Sequence, residues 1–159
     1  MGYKPSTREG DFSVMKYIAL MLVLLFGGFG IAWLGGADIA FAGRIAICAV
    51  FGFTAVGHFL KVQAMMDMMP LWIPGRYAIV VGSGVLEGVL AALVLFPAYA
   101  KVAGIALCIL LILVTPLNVY SAVQRIDFGG HGVGPKYLFV RIPMQILLLV
   151  WVFWFAVLP

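Results

Sequence analysis

Val102–Val123 reads VAGIALCILLILVTPLNVYSAV, without one charged residue. A bilayer core about 30 Å thick needs roughly 20 apolar residues of helix to cross it, and this stretch supplies them. Four more runs have that character: about Val14 to Leu34, Gly43 to Leu60, Tyr77 to Phe96 and Leu138 to Leu158. Closed barrels would show short alternating strands instead, so helix is the expected state throughout. The whole 159-residue chain agrees: 65% is hydrophobic and only 10% charged, too few charges to cover a soluble surface, where roughly 25% is usual. Disorder is excluded by the same apolar excess. The expectation is an all-α integral membrane bundle, one domain over residues 1–159, in contact with the lipid bilayer.

The connections carry turn chemistry: Gly35, Gly36 and Asp38; Pro70, Pro74 and Gly75; Pro97; and the glycine-rich stretch Gly129 to Pro135. None is long enough to divide the chain. A basic start before an apolar run also describes a signal peptide, with Ala40-Phe41-Ala42 as its cleavage site. The first run is longer than the roughly 7–15 residues of a signal core, so it reads as a retained helix.

Ten Lys and Arg stand against six Asp and Glu, a net +4. In a membrane chain that excess marks cytoplasmic loops rather than a nucleic-acid surface. With five spans, Lys4, Arg8, Lys16, Lys61, Arg76, Arg125, Lys136 and Arg141 share one side, and Arg44 and Lys101 the other. That places the N-terminus in the cytoplasm. Trp151, Trp154 and Phe155 then read as an outer aromatic belt.

Ionisable groups inside such segments are costly and need a reason. Glu87 lies about 11 residues, or roughly 16 Å, into the third segment, and shares a face with Ser83, Gly84, Gly88 and Ala91. Gly84 and Gly88 form a GxxxG pair that admits a neighbouring backbone. Glu87 therefore points into the bundle, either as a hydrogen-bonding tie between helices or as a functional acid. Pro116 frees the carbonyl of Ile112, close to Asn118. His58 ends the second segment, and Arg141 and Gln145 open the fifth, one turn apart. By topology these four lie at similar depth, with Glu87 about two turns deeper, around a polar pocket. For His58 and Arg141, snorkelling to the interface stays open beside pocket lining.

Met65-Met66-Asp67-Met68-Met69 offers soft ligands for copper(I). Yet Val62, Met65, Met66 and Met69 follow helical spacing, which favours an amphipathic turn with Lys61 and Asp67 outward. Cys48 and Cys108 lack C-x-x-C spacing and read as packing residues. His58 and His131 are too few for haem. No metal is expected.

Gly57-His58-Phe59, Met69-Pro70-Leu71-Trp72-Ile73-Pro74, Ser83-Gly84-Val85-Leu86-Glu87, Pro116-Leu117-Asn118-Val119-Tyr120 and Arg141-Ile142-Pro143-Met144-Gln145 occur in this order. Together they resemble the DoxX family of small bacterial membrane proteins over about Gly43 to Leu158. The resemblance implies a four-helix unit in the bacterial inner membrane, here with one extra N-terminal transmembrane helix. It also implies membrane redox work: one branch is the membrane subunit of a thiosulfate:quinone oxidoreductase, and others are associated with oxidative stress. The family's recurring positions fall on His58, Pro70, Gly84, Glu87, Pro116 and Asn118. The expected ligand is a quinone, with Glu87 as proton carrier. His58, Asn118, Arg141 and Gln145 would bind it, and a soluble redox partner would supply electrons because the chain has no cofactor motif of its own. The competing reading is a non-enzymatic assembly protein holding a lipid-like ligand or a partner helix. A small-solute transporter is disfavoured, since no broken-helix symmetry is visible.

Overall fold

A computed structural model describes residues 8–124, 126 and 138–158, with side chains from residue 15 onward. The glycine-rich stretch 129–135, His131, Arg125 and Lys136 lie outside the described residues, as do the side chains of Lys4 and Arg8. Among the described residues there is no strand. The helices are α1 (Arg8–Leu22), α2 (Gly28–Leu34), α3 (Ile39–Leu60), α4 (Val62–Asp67), α5 (Arg76–Leu93), α6 (Pro97–Val123) and α7 (Leu138–Val152). A π turn over Val23–Gly27 joins α1 to α2, and another over Phe153–Val157 extends α7. Five stretches are long and apolar enough to cross a membrane: Met15–Leu34, Ile39–Leu60, Arg76–Leu93, Pro97–Val123 and Leu138–Val157. The protein is a multi-pass helical membrane bundle. Side chains such as Ile31, Leu34, Val102, Leu113 and Phe139 point outward and are more than half exposed, as lipid-facing residues should be.

Several boundaries differ from the sequence expectation, each for a local reason. Helix α3 starts at Ile39, four residues early, because the Asp38 carboxylate accepts from the Phe41 amide at 2.8 Å and caps it. Ala40-Phe41-Ala42 is therefore the first turn of a helix. Helix α6 starts at Pro97, which occupies the first-turn position where a missing N–H costs nothing. Helix α5 starts after Gly75, whose φ of +66° suits glycine alone, and stops at Leu93. The methionine run is the short α4, with Lys61 and Asp67 exposed as expected. Met68, Met69 and Pro70 turn inward and are buried. Arg76 donates to the Met66 carbonyl at 3.3 Å and ties this loop to α5.

Apolar burial does little to join helices in lipid, so close packing of small residues has to do it. Helix α3 is the hub and packs most extensively on α5. At Gly84 a Cβ atom would lie 2.6 Å from the His58 Cβ, and at Gly88 3.5 Å from the Ala55 Cβ, so the GxxxG pair is the α3–α5 seam. At the other end of the bundle, Gly43 leaves its Cβ space to the Phe155 ring, and Gly104 does the same for Ala156 at 2.8 Å. Trp151 is not part of a lipid-facing belt. Its ring packs against Phe26, Phe29 and Phe155 at 5.0–5.6 Å, and its Nε1 donates to the Gly43 carbonyl at 3.3 Å. Trp154 does face outward, 62% exposed.

Candidate functional site

The opposite half of the bundle encloses a cavity of about 560 Å³. It is lined by Tyr17 and Met21 of α1, the end of α3, the α4 loop, the first half of α5, and facing parts of α6 and α7. His58, Glu87, Asn118, Arg141 and Gln145 all line it. The walls are otherwise mainly apolar, with Met65, Met68, Met69 and Met144 among them.

The side chains of His58 and Glu87 meet across the difference in depth expected of their positions. His58 Nε2 lies 3.3 Å from Glu87 Oε2. Side chains on a helix lean toward its N-terminus. Because α3 and α5 run antiparallel, His58 and Glu87 lean toward one another, and Gly84 removes the obstacle between them. Residue counting alone ignores that lean.

The proton inventory of this pair follows from its neighbours. His58 Nδ1 is 3.0 Å from the Val80 carbonyl, which only accepts, so Nδ1 carries a hydrogen. Ser83 Oγ lies 3.2 Å from the same nitrogen and donates to the same carbonyl. That leaves Nε2 as the ring nitrogen that faces the Glu87 carboxyl across their contact. On the other carboxylate oxygen, Thr54 Oγ1 donates to Glu87 Oε1 at 2.6 Å, shorter than its 3.2 Å and 3.1 Å approaches to the Val50 and Phe51 carbonyls. Both His58 nitrogens thus have protein partners, and His58 lines the cavity beside Glu87.

Across the cavity, Gln145 Nε2 donates to the Leu111 carbonyl and to Thr115 Oγ1, the latter at 2.6 Å. Thr115 Oγ1 donates to the Leu111 carbonyl at 2.9 Å. These bonds cluster one residue before the carbonyl that Pro116 releases, and α6 continues through the proline. Two buried side-chain atoms have no partner among the described residues: Asn118 Nδ2 and Gln145 Oε1. Asn118 is 4% exposed and Gln145 6%. An orphaned buried polar group costs about 1–3 kcal/mol, which makes each one a feature to be explained.

Sequence reasoning missed Thr54, Tyr17 and Met21. Thr54 had a visible signal: it stands one turn before His58, on the same face of an otherwise apolar helix. Nothing in the sequence says where the first helix docks. Cys48 and Cys108 are half-buried free thiols away from the cavity.

A family described as a domain of unknown function (DUF8561) matches residues 47–156. That is more than half of the chain, which belongs to this family. The match spans α3 to α7 and leaves the first membrane-spanning stretch outside it. No curated protein and no solved structure matches the chain.

Proposed function

We propose that the cavity binds a quinone-type amphiphile and that the chain is a DoxX-like subunit or accessory of a membrane redox system. The observation that carries this reading is the Thr54–Glu87–His58 cluster, a proton-holding group set in an apolar cavity at membrane depth. A bound quinone supplies two-electron, two-proton chemistry. Asn118 lines the cavity and has an unpartnered Nδ2, a donor that a turn of its side chain would offer to a ring carbonyl. Glu87 delivers its carboxyl proton to a ring oxygen of the reduced ligand, and His58, 3.3 Å away, resupplies Glu87. Thr54 holds Oε1 in place, and Arg141 adds positive charge to the wall. The apolar and methionine walls exclude water and adapt to a hydrocarbon tail. Electrons come from a soluble partner. The setting is the bacterial inner membrane with the N-terminus in the cytoplasm, supported by the asymmetry of the ten Lys and Arg residues.

Glu87→Gln tests the chemistry. It keeps shape and hydrogen bonding but removes the transferable proton. Quinone reduction in membranes carrying the full chain is expected to fall tenfold or more, within the range of about 10²–10⁴ attributed to acid–base groups. Thermal stability is expected to hold. If stability falls while activity per folded protein is unchanged, Glu87 is structural and the assembly-protein reading replaces this one. Orientation is checked by labelling single cysteines in a background free of Cys48 and Cys108; a C-terminal cysteine shielded from an impermeant reagent outside the cell overturns it.

A further inference from the structure

The seams between the helices around the cavity are not closed alike. Gly84 and the His58–Glu87 contact close α3 on α5. The Gln145 bonds to the Leu111 carbonyl and Thr115 close α6 on α7. The first membrane-spanning stretch fills the space between α3 and α7, where Met21 and Leu25 share a buried cluster with Val50 and Leu148. The α5–α6 seam is tight only at its hairpin, where Leu90 and Val94 share a buried cluster with Ala103 and Leu107, and Ala106 packs against it. The same face of α5 continues to Ser83 and Ile79, seven and eleven residues before Leu90. That of α6 continues to Leu110, Leu113 and Leu117, four, seven and eleven residues beyond Ala106. All five line the cavity. Ile79 is nevertheless 44% exposed and Leu113 65%, and among the described residues no hydrogen bond joins α5 to α6. Val56 and Leu60 are exposed lining residues too, but on α3, whose seam with α1 is bridged by the Tyr17 and Phe53 rings, 6.0 Å apart.

A cavity of about 560 Å³ suits the drug-sized head of an amphiphile, so a long hydrocarbon tail needs a way out. We infer that the α5–α6 seam is a lateral mouth open to the bilayer: the ligand enters and leaves through it, and its tail lies along Ile79 and Leu113 while the head stays inside. This rests on the amphiphile-binding reading above. Both residues fall within membrane-spanning stretches, so the mouth faces hydrocarbon, the phase in which such a ligand dissolves. Entry by this route never exposes the tail to water.

The test uses the full wild-type chain in lipid nanodiscs and a decyl-tailed benzoquinone carrying a photoreactive diazirine at the tail tip. Adducts abolished by excess unlabelled decyl benzoquinone are expected at Ile79, Leu113 and their neighbours on the outer side of the seam. In a second measurement, the paired substitution Ile79→Phe and Leu113→Phe narrows the seam with side chains that still suit lipid. Stopped-flow quenching of tryptophan emission is expected to show binding and release both slowed about tenfold, with the dissociation constant unchanged. Competed adducts anywhere other than the seam, Val56 and Leu60 included, overturn the inference and leave the quinone site standing. Unchanged rates overturn it as well, and so does a shifted dissociation constant, which would make both residues part of the binding wall. The adduct map needs no variant, so misfolding of the paired substitution does not blunt the test. If no adduct anywhere is competed, the quinone reading falls and this inference falls with it.

Discussion

At one end of the bundle, Gly43 and Gly104 let α3 and α6 close on the α7 extension, and Trp151, Phe155, Phe26 and Phe29 fill the remaining space. At the other end the same helices stand around about 560 Å³ of cavity and turn polar atoms into it. Both ends use glycine for close approach, but what the approach achieves differs. Gly43 makes room for an aromatic ring, which completes packing. Gly84 makes room for the His58 side chain, which brings a base to an acid. In lipid, where packing does the joining, the closed end can carry stability and leave the other end free to keep a cavity and unpaired amides.

The sharpest way to break this division is to overfill the closed end. Gly43→Leu would put a side chain where the Phe155 ring lies, and overpacking a tight core costs up to about 3 kcal/mol. Thermal denaturation in detergent is expected to show that loss, while ligand affinity per folded protein holds. A stable variant, or one that loses affinity without losing stability, would show that the two ends are not independent. The converse change at the cavity end is Asn118→Leu. It removes an orphaned donor, so stability is expected to hold or rise by about 1 kcal/mol, while quinone affinity falls about tenfold. Gly43→Leu should therefore lower stability and Asn118→Leu should not.

How much of this was readable beforehand depends on what each feature requires. Val102–Val123 announces a membrane helix by composition alone, and the structure has it within α6. The start of that helix was not visible, because Pro97 and Lys101 look like a loop until proline's fitness for a first turn is weighed. Glu87 stands out because an acid in an apolar run is rare, and Gly84 and Gly88 beside it mark the face that meets α3. Its contact with His58 was missed because depth counted in residues ignores how side chains lean on antiparallel helices. The polarity of Gln145 depends on Thr115 having already given up its hydrogen, a three-body fact that no spacing encodes. Trp151 stands near the end of the last apolar run, where interfacial aromatics are usual, but its use is internal.

That residue supplies a fine test of the closed end. The Trp151 ring lies edge-on to Phe26 at 5.3 Å and to Phe29 at 5.6 Å, and so fastens the first membrane-spanning stretch to α7. Its Nε1 reaches the Gly43 carbonyl at 3.3 Å, a long bond within a helix that already uses most of its carbonyls. Trp151→Phe keeps an aromatic ring and removes this bond, so the stability loss should be about 1 kcal/mol, the usual worth of one hydrogen bond. Trp151→Ala removes the ring as well, and a large-to-small change of that kind costs about 3–5 kcal/mol in a packed interior. The comparison of the two separates hydrogen bond from ring. If Trp151→Phe costs as much as Trp151→Ala, the Gly43 contact is the main fastening. If neither variant lowers the denaturation temperature, the aromatic cluster does not hold the first helix, and the stability of the closed end rests on the glycine contacts alone.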